Sequence, residues 1–222
     1  MLESTLPVES VVRGSNAELI AEVARLYCKD GDKIADVTYG KGNFWKKAKH
    51  LDVTGSDIMT VPERPYDFTD LPYPDKSFDI VVLDPPYIHS AGNHMTDANY
   101  QNAATTKGFL QADIMQLYYD GMKEAARTAK RQVWVKGKDQ VQGGVQRWSS
   151  VSLHQIGVSL GLYPRDMFYL MTNSARAGYG RWHTQHHARK PISFLWVFDV
   201  YNNAKLLQAM QDLDFLKKGE NQ

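Results

Sequence analysis

The apolar run Phe78–Leu83 is closed by Asp84-Pro85-Pro86-Tyr87, a carboxylate, two prolines and an aromatic ring in immediate succession. Proline fixes φ and has no N–H, so the carbonyls of such a turn are left as outward acceptors. Acceptors beside a ring can take both hydrogens of an exocyclic amine while the ring stacks on its heterocycle. These residue types in this order therefore suit chemistry on the amine of a base.

A second cluster lies upstream. Asp36-Val37-Thr38-Tyr39-Gly40-Lys41-Gly42-Asn43-Phe44 reads as a glycine-rich turn from strand into helix. Glycines permit positive φ and let a ligand come close to the backbone. The spacing is neither GxGxxG nor GxxxxGK[ST], so it does not favour a nicotinamide or an ATP site. Asp57 follows about 20 residues on, after another apolar run, where an α/β nucleotide fold carries its ribose-binding carboxylate. Alone it could equally cap a helix. The ordered trio of glycine turn, acidic strand end and Asp-Pro-Pro-Tyr is more specific than any member.

The elements that must position these residues follow from hydrophobic periodicity. Leu19, Ile20, Val23, Leu26 and Tyr27 recur at helical spacing over 16–29, with Ser15 or Asn16 as cap and Gly31 as stop. Strands are predicted over 33–38, 51–56, 78–83 and 132–135, with a weaker one at 65–68. Helices are predicted from about Phe44, over 112–129 (Ile114, Leu117, Tyr118, Met122, Ala125 and Ala126 on one side) and over 150–160. Two further apolar runs, Tyr163–Met171 and 192–200, read as late strands. Alternating strands and helices imply an α/β fold, a mostly parallel sheet covered on both faces. Ligands bind such sheets beyond the carboxyl ends of the strands, at the point where strand order reverses. Asp36, Asp57, Asp67 and Asp84 all fall near predicted strand ends.

Composition narrows the class. The chain has 222 residues, 43% hydrophobic and 23% charged, as expected of one ordinary globular domain, and we read 1–222 as a single domain. No apolar run reaches the ~20 residues of a membrane span and no secretory leader is evident, so an intracellular, cytoplasmic location is expected. The lone Cys28 fits a reducing compartment. A covalent role for it is not expected, because it is predicted mid-helix without a neighbouring proline. With formal charge +1, any nucleic-acid affinity must come from local patches.

Residues 36–44 and 84–87 together resemble the S-adenosylmethionine-dependent amino-methyltransferases, in particular the DNA N6-adenine methyltransferases that place the cofactor turn before Asp-Pro-Pro-Tyr. Over roughly 15–200 the chain is similar to small phage and bacterial DNA methylases. That likeness includes His94-Met95-Thr96-Asp97-Ala98-Asn99-Tyr100 and the segment from Trp182 through His186-His187-Ala188-Arg189-Lys190. The resemblance implies a Rossmann-like seven-stranded sheet whose last strand, at 192–200, is antiparallel. It implies S-adenosylmethionine as cofactor, with Asp36, Gly40 and Gly42 along its methionine part and Thr38, Tyr39, Asn43 and Phe44 completing the turn. Asp57, followed by Ile58, would serve the ribose, and Asp67 and Phe68 the adenine. Thr38-Tyr39 departs from the Pro-Phe pair usual before the first glycine. The catalytic set carried over is Asp84, Pro85, Pro86 and Tyr87, with DNA as partner and no metal.

Two stretches are candidates for contacting nucleic acid. Residues 88–111 are rich in Asn, Gln and Thr that can bond base edges, with His94, Tyr100, Asn102 and Lys107 the leading members. Residues 172–190 interleave Arg176, Arg181, Trp182, His186 and Arg189 with glycines, apt for phosphate contacts and stacking. His183, His186 and His187 lack a cysteine or carboxylate partner, so a zinc site is not expected. Lys136 and Lys138, just beyond the fifth strand, are read either as further phosphate contacts or as exposed strand-end lysines with no specific role. Residues 202–218 look like an amphipathic helix. The expected function is methylation of the adenine N6 amine in DNA. RNA N-methylation, N4-cytosine methylation and a silent nucleic-acid-binding subunit are the alternatives.

Overall fold

The computed structural model describes residues 6–85, 111–172, 186–188 and 190–200. The chain opens with a short strand β1 (Val11–Arg13) and helix α1 (Asn16–Tyr27). Ser15 and Glu18 form a capping box at its start, with Glu18 accepting from the Ser15 amide at 2.8 Å. Leu19, Ile20 and Val23 are fully buried, whereas Leu26 is half exposed. The helix ends at Tyr27, two residues short of expectation, and Cys28 takes up extended backbone after it. Cys28 is thus a cap residue rather than a mid-helix one. Burial pushes its thiol up to about 12, which leaves it unreactive. Gly31, at φ 81°, turns the chain into β2 (Lys33–Asp36).

A 3₁₀ turn (Asn43–Lys47) replaces the longer helix expected from Phe44. Then come β3 (Asp52–Gly55), β4 (Phe78–Leu83), α2 (Gln111–Thr128) and β5 (Ala129–Gly137). A hairpin of β6 (Gln140–Gln142) and β7 (Val145–Arg147) leads to α3 (Ser149–Ser159), β8 (Tyr163–Met171) and β9 (Ile192–Asp199). The main sheet has seven strands in the order β1-β8-β9-β5-β4-β2-β3. All pairs are parallel except those made by β9, which is antiparallel to both β5 and β8. Seven strands and an antiparallel final strand agree with expectation, but the membership differs. Residues 65–68 form no strand: Pro65 has no amide to donate, and Asp67 closes a local turn by accepting from the Thr69 amide at 2.9 Å. The seventh place is taken by β1, whose three residues bury only Val12 and so give almost no periodicity to read. The β6–β7 hairpin was also unforeseen, although Gly143-Gly144, both at positive φ, is a strong two-residue turn signal.

The sheet is buried on both faces because successive side chains alternate. Ile34, Ile80, Val82, Trp134, Leu195 and Val197 pack with α1 and the 3₁₀ turn. Ala35, Val81, Leu83, Val133, Val135, Phe194 and Phe198 pack with Ile114, Tyr118, Met122 and Ala125 of α2 and Leu153 of α3. The chain runs from β2 outward to β3 and returns on the other side as β4, so the strand order reverses between β2 and β4. Among the described residues no helix is long and apolar enough to cross a membrane.

Candidate active site

Asp36 ends β2 and Asp84 directly follows β4, so the two carboxylates straddle the reversal point. Pairing of Asp36 with Val82 sets Asp84 two positions beyond Asp36 along the sheet edge. Since Ile34 and Asp36 share a face, as do Ile80, Val82 and Asp84, both carboxylates belong to the α1 side of the sheet. Thr38 joins them. Its hydroxyl accepts from the Asp84 amide at 2.7 Å and lies 3.4 Å from Asp36 Oδ1, to which it donates.

Asp36 is 2% exposed and fully engaged. Its Oδ2 accepts from the Trp45 indole at 2.7 Å, and Oδ1 from the Thr38 amide at 3.1 Å. Burial pushes this carboxyl up to about 7 against those bonds, and the charge of Asp84 adds to the rise. Asp84 differs: its Oδ1 is buried with no hydrogen-bond partner among the described residues. Burial pushes its carboxyl up, and the ammonium of Lys136, 3.8 Å from Oδ1, offsets only part of that rise.

Lys136 corrects the sequence reading. It lies inside β5, 1% exposed, rather than beyond the strand in solvent. The strand is longer than expected because β9 pairs with it from Gln132 through Gly137. Leu83 pairs with Val135, which brings Lys136 level with Asp84. Lys138 is half-buried, and burial together with the Lys136 charge lowers its pKa.

The glycine turn is clamped to the loop after β3. Asp57 accepts from the Gly40 amide at 3.2 Å, and Thr60 donates to the Gly40 carbonyl at 2.7 Å. The other Asp57 oxygen takes the Met59 and Thr60 amides at 2.9 and 2.8 Å. Gly40 and Gly42 both have positive φ, but their surroundings differ. A Cβ at Gly40 would meet nothing within 4 Å, whereas one at Gly42 would lie 2.6 Å from the Tyr39 hydroxyl oxygen. Gly55 likewise accommodates Tyr39, whose Cγ would be 2.4 Å from an added Cβ. Tyr39 therefore supplies the close approach at Gly42 and Gly55, and the open side of the turn is at Gly40.

Phe44 is buried, with the Lys136 ammonium 6.0 Å from its ring centroid, while Asn43 and Ile58 are exposed. Asp67 is exposed and bonded to Thr69, and the Phe68 ring packs against Gly121 of α2. Pro85 is buried. Pro86, Tyr87, His94, Tyr100, Asn102, Lys107, Arg176, Arg181, Trp182, His183 and Arg189 lie outside the described residues, as does 202–218. His186 and His187 are exposed, and the His187 ring bonds the Gly144 carbonyl at 2.8 Å. Among the described residues no cluster of three histidine, cysteine or acidic side chains could hold a metal.

Structure thus brings Asp36, Thr38, Gly40, Asp57 and Asp84 to one edge and adds one residue that sequence reasoning missed, Trp45. It gives unforeseen roles to the Thr38 hydroxyl, which bridges the two aspartates, and to Lys136, which is buried beside Asp84. The alternation Val133-Trp134-Val135-Lys136 was the available signal for Lys136, since it puts the lysine on the face of a buried tryptophan.

No protein-family model matches the chain, and no curated protein matches it in sequence. Solved structures do match in fold. Magnesium protoporphyrin IX methyltransferase from Synechocystis PCC 6803 with bound SAH aligns at TM-score 0.51 and 11% identity, over 84% of this chain and 81% of that one. The same enzyme with bound SAM gives 0.50 and 12%, over 84% and 78%. SpnF, a 4+2 cyclase, aligns at 0.51 and 14%, over 83% and 80%. The chain therefore has the Rossmann-like methyltransferase fold. That one of these neighbours is a cyclase shows why the reaction must be argued from the site.

Proposed function

We propose that the protein is an S-adenosylmethionine-dependent methyltransferase acting on the exocyclic N6 amine of adenine in DNA. The observation that carries this reading is Asp84: a partly buried carboxylate whose buried Oδ1 is free of hydrogen bonds among the described residues, at the carboxyl end of β4, followed by Pro85. The fold and the glycine turn support the cofactor. Gly40 offers backbone at positive φ with open space beside it, and Asp36 and Asp57 place carboxyl groups at or just beyond the ends of β2 and β3. These features fit a cationic amino-acid-bearing nucleoside. Residues 36–44 would hold its methionine part, and Asp57 and Ile58 its ribose side. When bound, the cofactor supplies a methyl group on a positively charged sulfur.

The remaining chemistry belongs to the chain. An aromatic amine is a poor nucleophile because its lone pair is delocalised into the ring. Asp84 accepting one N–H and the Pro85 carbonyl the other would let the nitrogen pyramidalise and regain basicity. Charge-assisted bonds in a site shielded from water strengthen that effect. Tyr87 would stack on the target base, which has to leave the helix if the substrate is duplex. Holding both reactants together supplies much of the remaining acceleration. DNA contacts are assigned to 88–111 and 172–190, on their composition.

The test is methyl transfer from labelled S-adenosylmethionine to unmodified DNA and RNA, followed by nucleoside mass spectrometry, with Asp84→Ala as control. N6-methyladenine in DNA that vanishes in Asp84→Ala is the expected result. Label in RNA or on another base would overturn the DNA-adenine assignment while keeping the methyltransferase reading.

A further inference from the structure

An ammonium group is costly to bury unless it is paired. Lys136 is 1% exposed on a central strand, so its charge needs a reason. Its Nζ is 3.8 Å from Asp84 Oδ1, within ion-pair range but too long for a hydrogen bond. The lysine attracts the carboxylate without occupying Oδ1, which has no hydrogen-bond partner among the described residues. Its own position is fixed from both sides. The Tyr118 hydroxyl of α2 donates to the Lys136 carbonyl at 2.9 Å, and β9 pairs along the strand with Lys136 opposite Leu195.

We propose that Lys136 is a positioning residue for the methyl transfer: from β5 it holds Asp84 charged and aimed, leaving Oδ1 to accept the substrate amine. The inference rests on the reading of Asp84 given above. Among the described residues, the charged group that lowers the pKa of Asp84 is Lys136 from β5, and Asp84 in turn raises that of Asp36 of β2. Lys138, past the end of β5, bears on Lys136. Without the Lys136 charge, burial favours protonated Asp84. A protonated carboxyl is the weaker acceptor for an amine N–H.

Lys136→Met removes the charge at similar volume, Lys136→Arg keeps it, and Lys136→Gln replaces the first if the methionine variant unfolds. Two quantities are read after calorimetry confirms a folded protein. One is the midpoint of the Asp84 carboxyl carbon titration by NMR, its signal identified by absence in Asp84→Asn. The other is single-turnover methyl transfer against pH. Lys136→Met is expected to raise the Asp84 midpoint by about one pH unit or more, as loss of an opposite charge does. It should also lower the rate on the acid side by about tenfold or more, with recovery as pH rises. Lys136→Arg should keep the wild-type midpoint. An unchanged midpoint overturns the proposal whatever the activity, and a rate lowered equally at every pH overturns it in favour of a packing role. If the midpoint moves but the wild type methylates neither DNA nor RNA, the reading of the site itself fails, and Lys136 has no transfer to position.

Discussion

Asp36 and Asp84 sit in neighbouring registers, yet their surroundings assign them different work. Asp36 spends both oxygens on the Trp45 indole and Thr38, whereas Asp84 keeps one oxygen free of hydrogen bonds among the described residues. This division has a consequence for stability against pH. The folded-state pKa of Asp36, about 7, lies above its ordinary unfolded value, so folding favours the protonated form. Its contribution is complete below about pH 4 and is lost as pH rises through about 7. Calorimetric Tm of the wild type relative to Asp36→Asn should therefore fall between those limits and stay level outside them. A constant difference would mean that the Trp45 and Thr38 bonds keep the group charged throughout. Trp45→Phe tests the bond itself. Losing a donor to a buried, largely charged carboxylate should cost about 2 kcal/mol in urea unfolding at pH 8, and less at pH 4, where the acid is neutral.

At the scale of elements, packing overrides local preference. Gly157 lies within α3, where alanine would favour the helix by about 1 kcal/mol. A Cβ there would sit 2.3 Å from Cε1 of the buried Phe198 ring of β9. Forcing that ring aside costs about 1–3 kcal/mol, so Gly157→Ala should be net destabilising in urea unfolding. A stabilised variant would show that Phe198 can shift without penalty. The same logic holds at Gly55, whose missing side chain makes room for Tyr39 against the end of β3. Glycines in this fold serve close approach by aromatic rings as much as by any ligand, a role that spacing alone does not announce.

For the whole molecule, the cofactor proposal predicts linkage. S-adenosylhomocysteine, the product form of the cofactor, should raise the stability of the fold by about 2.7 kcal/mol at 100 times its Kd. For a chain of this size that is a Tm shift of roughly 5–10 °C, which a thermal scan detects directly. No shift at millimolar ligand would count against the cofactor site. With a net charge of +1, attraction to DNA has to be local. Deleting 172–190 should therefore weaken DNA binding, measured by fluorescence anisotropy, more than S-adenosylhomocysteine binding. Equal loss of both would mean that the segment supports the fold.

Much of this was legible in the chain. The apolar run 78–83 and its Asp-Pro-Pro-Tyr ending, the capped helix after Ser15, the glycine turn and the late strand Tyr163–Met171 are local signals, written in residue type and short-range period. They determine which elements form and which residues could do chemistry. Whether residues 65–68 join the sheet, where β5 ends and what surrounds each carboxylate were decided by tertiary structure. Strand register is set by partners far apart in sequence. Pairing of Gly137 with Phe194 carries β5 past Lys136, and pairing of Leu83 with Val135 puts that lysine beside Asp84. A lysine after four residues of a strand reads as a solvated end when taken alone. The antiparallel insertion of β9 between β5 and β8 places it inside the sheet, and burial is what makes its charge matter.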